Sequence, residues 1–186
     1  TGTITTGEMT VKNIFLNDNI IDVSGAGFEG NGEFALNGKN INPTDNYQLN
    51  LILRTGILCN DSRIERTGTE KEYNIFGSPT EASLLVLGAK ANIYKEDLKD
   101  KRIEEIPFSS DRKMMSTIRK SEGKLISYVK GAPEKIVERC EYELINGKKI
   151  KLDDKKKQIL VKMYENMARQ GLRVLGFAYK ELPGFN

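Results

Sequence analysis

Apolar positions along this chain change spacing from segment to segment, and the changes predict its elements. From Thr10 to Leu16 and from Ile20 to Val23 the pattern is that of strands, joined by a turn at Asn17-Asp18-Asn19. A glycine-rich stretch, Ser24 to Gly38, comes next. NPTDNYQLNLILRTGILCND then reads as a helix with an apolar body from Leu49 to Leu58 and Asn42, Thr44 and Asp45 as candidate caps. After a polar loop, YNIFGSPTEASLLVLGAKAN holds a second helix, where Ser78, Pro79 and Glu81 form a capping-box pattern. Ile103 to Phe108 is a short extended run, and Lys113–Arg119 with Lys124–Lys130 reads as a hairpin across Ser121-Glu122-Gly123. A helix from Pro133 to about Cys140 and a small turn at Asn146-Gly147 precede DDKKKQILVKMYENMARQGL, a helix with Ile159, Leu160, Met163 and Met167 on one face and Gly171 as its stop. LRVLGFAY closes the series as an apolar strand. Hairpins and intervening helices in mixed order predict an α+β fold with a largely antiparallel β-sheet.

Composition narrows the chemistry. At 186 residues and 38% hydrophobic, the chain is long and apolar enough for a real core. Its 29 basic and 26 acidic residues leave a net charge of +3, without the concentrated basic face that nucleic acid demands. The chain has no histidine, which excludes a Ser-His-Asp triad, a Cys-His dyad and any His-ligated zinc site. Cys59 and Cys140 are too few for a disulfide scaffold and fit a reducing compartment. No apolar run approaches the roughly 20 residues that cross a bilayer, and no signal peptide opens the sequence. The missing initiator methionine sets the expectation of a piece of something longer.

Several motifs carry two readings. GAGFEG, Gly25 to Gly30, matches the dinucleotide pattern G-x-G-x-x-G after a strand, but the mechanism needs a helix to follow, and NGEFALNG is a poor one. No G-x-x-x-x-G-K-[ST] occurs, so phosphate binding here falls to side chains. In KGAPE, Lys130 to Glu134, the strand-end Lys130 either points into a cleft, with Gly131 admitting a ligand close to the main chain, or is a solvated lysine at an exposed turn. In FSSDRKMMS, Phe108 is either a core ring or a platform for a base, Lys113 could share a cleft with Lys130, and Asp111 with Arg112 reads as a surface pair. Glu81 is either a cap or an acceptor for an exocyclic amine, and Arg173 either faces solvent or offers a forked donor to a phosphate.

In order, TGTITTGEMTV, CNDS, GSPTEASLL, FSSDRKMMS, YVKGAPEKI and GLRVLGFAYKEL make the chain similar to the nucleotide-binding domain of P-type cation-transporting ATPases, the calcium-pump branch above all. SGAGFEGNGEF resembles that branch's glycine-rich segment. The resemblance implies a sheet flanked by helices that holds ATP and carries it to a phosphorylatable aspartate in a separate domain. By motif position, Phe108 would stack on the adenine, Glu81 would meet its amino group, and Lys130 would line the pocket beside Gly131. Lys113 and Arg173 would steady the phosphates, and Leu175 would close the apolar wall. Thr1 would bind Mg2+ and the terminal phosphate only in the intact enzyme, since by resemblance the aspartate of D-K-T-G-T would lie just before it. Ser78 and Ser110 depart from the family's frequent acidic residue and arginine, which would weaken rim contacts.

The expectations that follow are a remnant of the phosphorylation domain and hinge over 1–8, a nucleotide-binding domain over 9–180 and the start of a return hinge over 181–186. ATP and Mg2+ are the implied cofactors. The implied partners are the phosphorylation, actuator and transmembrane domains of the same polypeptide, with no nucleic acid and a monomeric isolated domain. The whole would be a cation pump, Ca2+ by likeness, with this part on the cytoplasmic side of the membrane and not catalytic alone. The alternatives are a non-catalytic nucleotide- or partner-binding module and an interaction domain for acidic lipid or RNA.

Overall fold

The computed structural model describes residues 8–67 and 72–184. Thr1 and most of the 1–8 segment therefore lie outside the described residues. The chain divides into two compact units, 1–98 and 99–186.

The first unit starts with a four-stranded antiparallel meander: β1 (Asn13–Leu16), β2 (Asn19–Val23), β3 (Phe34–Leu36) and β4 (Lys39–Ile41). Its tight turns use residues that tolerate positive φ, Asn17 and Asp18 at 51° and 60°, and Asn37 and Gly38 at 51° and 73°. Ile14, Ile21, Val23 and Phe34 pack with Leu49 and Leu53 of helix α1 (Tyr47–Leu58), and with Leu87 and Ala91 at the far end of α2 (Pro79–Lys90). The cap of α1 is Asn46, not one of the three residues expected: its side chain accepts from the amides of Gln48 and Leu49, while Asn42 instead bonds Thr44 and Asp45. A Cβ on Gly88 would lie 2.6 Å from Ile57, so glycine lets α1 and α2 approach closely. The segment expected as a polar loop contains a hairpin, β5 (Arg63–Thr67) and β6 (Glu72–Phe76).

The glycine-rich stretch wraps a lysine. Lys90, buried at the end of α2, donates to the Ser24 carbonyl at 2.7 Å and to Thr10 Oγ1 at 3.4 Å. Side chains at Gly25 or Gly32 would come within 2.8 Å of it. The stretch then enters strand β3, so GAGFEG has no helix N-terminus to offer a pyrophosphate.

The second unit is built on an antiparallel sheet in the order β12-β9-β8-β7, with β7 (Lys101–Ser109), β8 (Met114–Ser121), β9 (Lys124–Gly131) and β12 (Gly176–Leu182). Helix α3 (Pro133–Arg139) follows β9, and its Ile136 and Pro133 fill the space where a Gly176 side chain would be. A small hairpin, β10 (Tyr142–Ile145) and β11 (Lys148–Lys151), turns at Asn146-Gly147 and leads to α4 (Asp154–Arg169). Asp153 caps α4 by accepting from the Lys156 amide at 2.7 Å, and Gly171 follows its end at φ +80°. The α4 row is only half-covered: Leu160, Met163 and Met167 are partly buried and Ile159 is exposed.

The α+β, largely antiparallel expectation holds, with the strands of the described residues spread over four sheets. LRVLGFAY is strand only from Gly176, which leaves Arg173 and Leu175 in the lead-in, outside any strand. Among the described residues no helix is long and apolar enough to cross a membrane.

Candidate functional site

Strand register assembles one end of the second unit's sheet. Here β7 and β9 finish beside the starts of β8 and β12, on a rung that runs Ser109, Met114, Gly131, Gly176. Phe108 precedes the first member of that rung, Lys113 the second, Lys130 the third, and Leu175 with Arg173 the fourth. Six of the sequence-predicted residues therefore share one sheet end, although they are spread over more than sixty positions of sequence.

Each has its own local setting. β7 is an edge strand whose pairing slips between Ile106 and Ser109, around Pro107. Phe108 lies in that irregularity with 61% of its surface exposed, so it is not a core ring. Lys113 adopts φ +53°, held by its amide donating to the Ser109 carbonyl at 2.7 Å and its carbonyl accepting from Ala132 N–H at 2.9 Å. Its exposed ammonium is 4.0 Å from Glu134, a loose pair of little energetic weight. Lys130 is buried, with Met115 and Phe177 as cross-strand neighbours, which removes the solvated-lysine reading. Gly131 has a packing reason of its own: a Cβ would lie 2.4 Å from the Lys113 carbonyl oxygen and 2.6 Å from Met114 Cβ. Arg173 is exposed and Leu175 half-buried. Arg112 turns its guanidinium to Ser116 Oγ at 3.0 Å and does not form the surface pair with Asp111.

Glu81 belongs to the first unit, in the opening turn of α2. The expected capping box is not made as written, because the Ser78 side chain forms no cap hydrogen bond. Instead Glu81 Oε2 accepts from Ser62 Oγ at 3.2 Å and from the Asp61 amide at 3.3 Å, and its carbonyl accepts from Asn60 Nδ2 at 2.9 Å. Sequence reasoning assigned no role to Asn60 or Ser62. Their signal was present in CNDS, where polar residues directly follow an apolar helix. The same unit holds a cavity of about 610 Å³ lined by Ser62, Arg63, Phe76, Tyr94, Lys95 and Glu96 among others, and none of the predicted site residues borders it.

Titratable groups are perturbed mainly by burial. Desolvation, with Lys12 nearby, pushes the Lys90 ammonium below its ordinary value. Burial and a hydrogen bond with Tyr94 push Tyr73 up to about 12. Burial also raises the Cys140 thiol, which suits a packing role over a reactive one. Among the described residues no cluster of three or more His, Cys, Asp or Glu could hold a metal ion.

Residues 48–185 match the family model described as P-type ATPase, cytoplasmic domain N. The cation-transporting ATPase pma1 of Synechocystis is 37% identical over 97% of this chain and 20% of its own length. A calcium-transporting ATPase of Bacillus subtilis is 34% identical over 98% of this chain and 21% of its own. The human calcium-transporting ATPase type 2C member 1 is 30% identical over 96% and 19%. The chain thus spans about a fifth of the length of the curated relatives it matches. With sheet, motif positions and family model in agreement, this chain belongs to the cytoplasmic N-domain family of P-type ATPases.

Proposed function

We propose that this domain binds ATP at the sheet end carrying Phe108, Lys113, Lys130, Gly131, Arg173 and Leu175, and hands the nucleotide to a phosphorylatable aspartate in a separate domain of a cation pump. The observation that carries the reading is the shared rung, beside which stand an exposed aromatic and two lysines at one end of the sheet, with the arginine in the segment that leads into its last strand. The open ring of Phe108 is suited to stacking on a base, worth about 1–3 kcal/mol. The exposed ammonium of Lys113 and the guanidinium of Arg173 offer charge-assisted donors to phosphate oxygens. Glu81 is the acceptor for the adenine amine, and Lys130 lines the base pocket.

The domain's contribution to phosphoryl transfer is positioning and charge, with no acid–base group needed here. Mg2+ would neutralise the triphosphate, and within this chain Thr1, outside the described residues, is its proposed contact. Residues 9–180 form the nucleotide-binding domain between hinge segments. The transported ion is Ca2+, by similarity to relatives named for it. The domain works on the cytoplasmic side, beside phosphorylation, actuator and transmembrane domains of one polypeptide. Alone it binds nucleotide without turning it over, with an affinity of roughly −4 to −6 kcal/mol, between tens of micromolar and millimolar.

The test is an NMR titration of the labelled chain with ATP, ADP, AMP and GTP. The three adenine nucleotides are expected to shift amides at Phe108, Lys130 and Glu81, and GTP to do so far less. No perturbation of those amides at millimolar ATP would refute the reading.

A further inference from the structure

Glu81 is held by more polar contacts than a first-turn glutamate needs. Asn60 is fully buried, and its Nδ2 donates both to the Gly56 carbonyl near the end of α1 at 3.0 Å and to the Glu81 carbonyl at 2.9 Å. Its Oδ1 accepts from the Ser62 amide at 2.9 Å. One side chain thus ties the end of α1, the start of β5 and the first turn of α2 together. Ser62, 1% exposed, sets its hydroxyl 3.2 Å from Glu81 Oε2 and 3.3 Å from the Ser78 carbonyl, and the Asp61 amide reaches Oε2 at 3.3 Å. Gly77, at φ +111°, leaves room for that hydroxyl, since a Cβ there would lie 2.5 Å from it.

We infer that Asn60, Asp61 and Ser62 form a positioning clamp for Glu81 that sets the site's preference for a base bearing an exocyclic amine. The inference rests on the ATP-binding reading above. A half-exposed glutamate samples several rotamers, and ordering them on binding detracts from affinity. Two donors on one carboxylate oxygen, with the main chain fixed by a third, settle the side chain before a base arrives. A carboxylate accepts from an amine and repels a keto oxygen at the same place, so a fixed carboxylate discriminates where a mobile one turns away. Asn60 and Ser62 are positioning residues, which reach the base only through Glu81.

The test compares ATP with ITP, in which the amine is replaced by a keto group, on the 186-residue chain carrying Ser62→Ala, Glu81→Ala or both. Ser62→Ala is expected to weaken ATP by about 3- to 10-fold while moving ITP by less than about twofold, with no further loss of ATP in the Glu81→Ala background. Ser62→Cys, close in size with a weaker donor, is measured in the same way should the alanine variant not fold. Equal losses of ATP and ITP, or an added ATP loss on top of Glu81→Ala, would overturn the clamp as a mere fold effect. If Glu81→Ala erases the ATP/ITP ratio and Ser62→Ala leaves it intact, the clamp fails and the nucleotide site stands. If Glu81→Ala itself leaves the ratio unchanged, the role of Glu81 in the proposed site fails and the clamp fails with it.

Discussion

Replacing Gly131 by alanine tests whether that position serves the sheet as well as a ligand. Gly131 lies on the central strand β9, opposite Met114 on one side and Gly176 on the other. The added methyl would stand 2.4 Å from the Lys113 carbonyl oxygen and 2.7 Å from Met114 Cα, both backbone atoms that no rotamer change can move. Ordinary contact begins near 3.4 Å, so the start of β8 must retreat by about 1 Å. Forcing a methyl into a packed site costs about 1–3 kcal/mol. The retreat also stretches the 2.9 Å bond from Ala132 N–H to the Lys113 carbonyl, at about 1 kcal/mol more. A loss of about 2–4 kcal/mol follows, which lowers Tm by roughly 5–15 °C in a chain of this size. Thermal unfolding followed by circular dichroism reads it directly. Gly184→Ala is the control, because nothing lies within 4 Å of its Cβ position. A Gly131→Ala melting curve that overlays both the control and the parent would refute the strand-packing account. If stability is retained while ATP binding is lost, the glycine serves only the ligand.

Three further outcomes are expected. Phe108→Ala should change stability by under about 0.5 kcal/mol, because its ring is already 61% exposed, yet weaken ATP by about 1–3 kcal/mol; calorimetric titration with an unchanged affinity would contradict the platform role. Asn46→Ala should cost about 1 kcal/mol in urea unfolding, since two α1 amides lose their acceptor, whereas Asp45→Ala should cost distinctly less. Lys90 is shifted below its ordinary 10.5 by burial and by Lys12, against a smaller opposing pull from Glu29. The unfolded chain therefore binds this proton more tightly than the fold, so the Lys90 contribution to stability rises as pH climbs from the lowered value towards 10.5. Unfolding free energies measured across that alkaline window should rise more steeply for the parent than for Lys90→Met, and parallel slopes would refute the assignment.

The strand and helix pattern made much of this fold legible, and its failures have local causes. The hairpin of β3 and β4 hid at the end of the glycine-rich stretch, although Asn37-Gly38 between FAL and KNI is a hairpin signal. The strands β5 and β6 are short and charged, RIERT and EYNIF, so their alternation was lost among polar neighbours. Asn46 was one of four polar residues before α1, and only backbone geometry selects among them. At the site, motif positions named six residues of the second unit that lie at one sheet end, but that common end depends on register, which no single segment encodes. Glu81 was named for a cap and a ligand, while the donors that hold it came from a segment about twenty residues earlier.

Pro107 has a consequence beyond the placing of its neighbour. An outer strand bearing exposed Ile103, Ile106 and Phe108 would ordinarily be a template on which a second molecule could lay a strand of its own and begin to polymerise. Proline offers no N–H to such an intruder, and the register of β7 slips twice along its length, so evenly spaced rungs cannot run past either irregularity. The domain can therefore keep an aromatic ring open to solvent at its outer margin without that margin becoming a seed for aggregation.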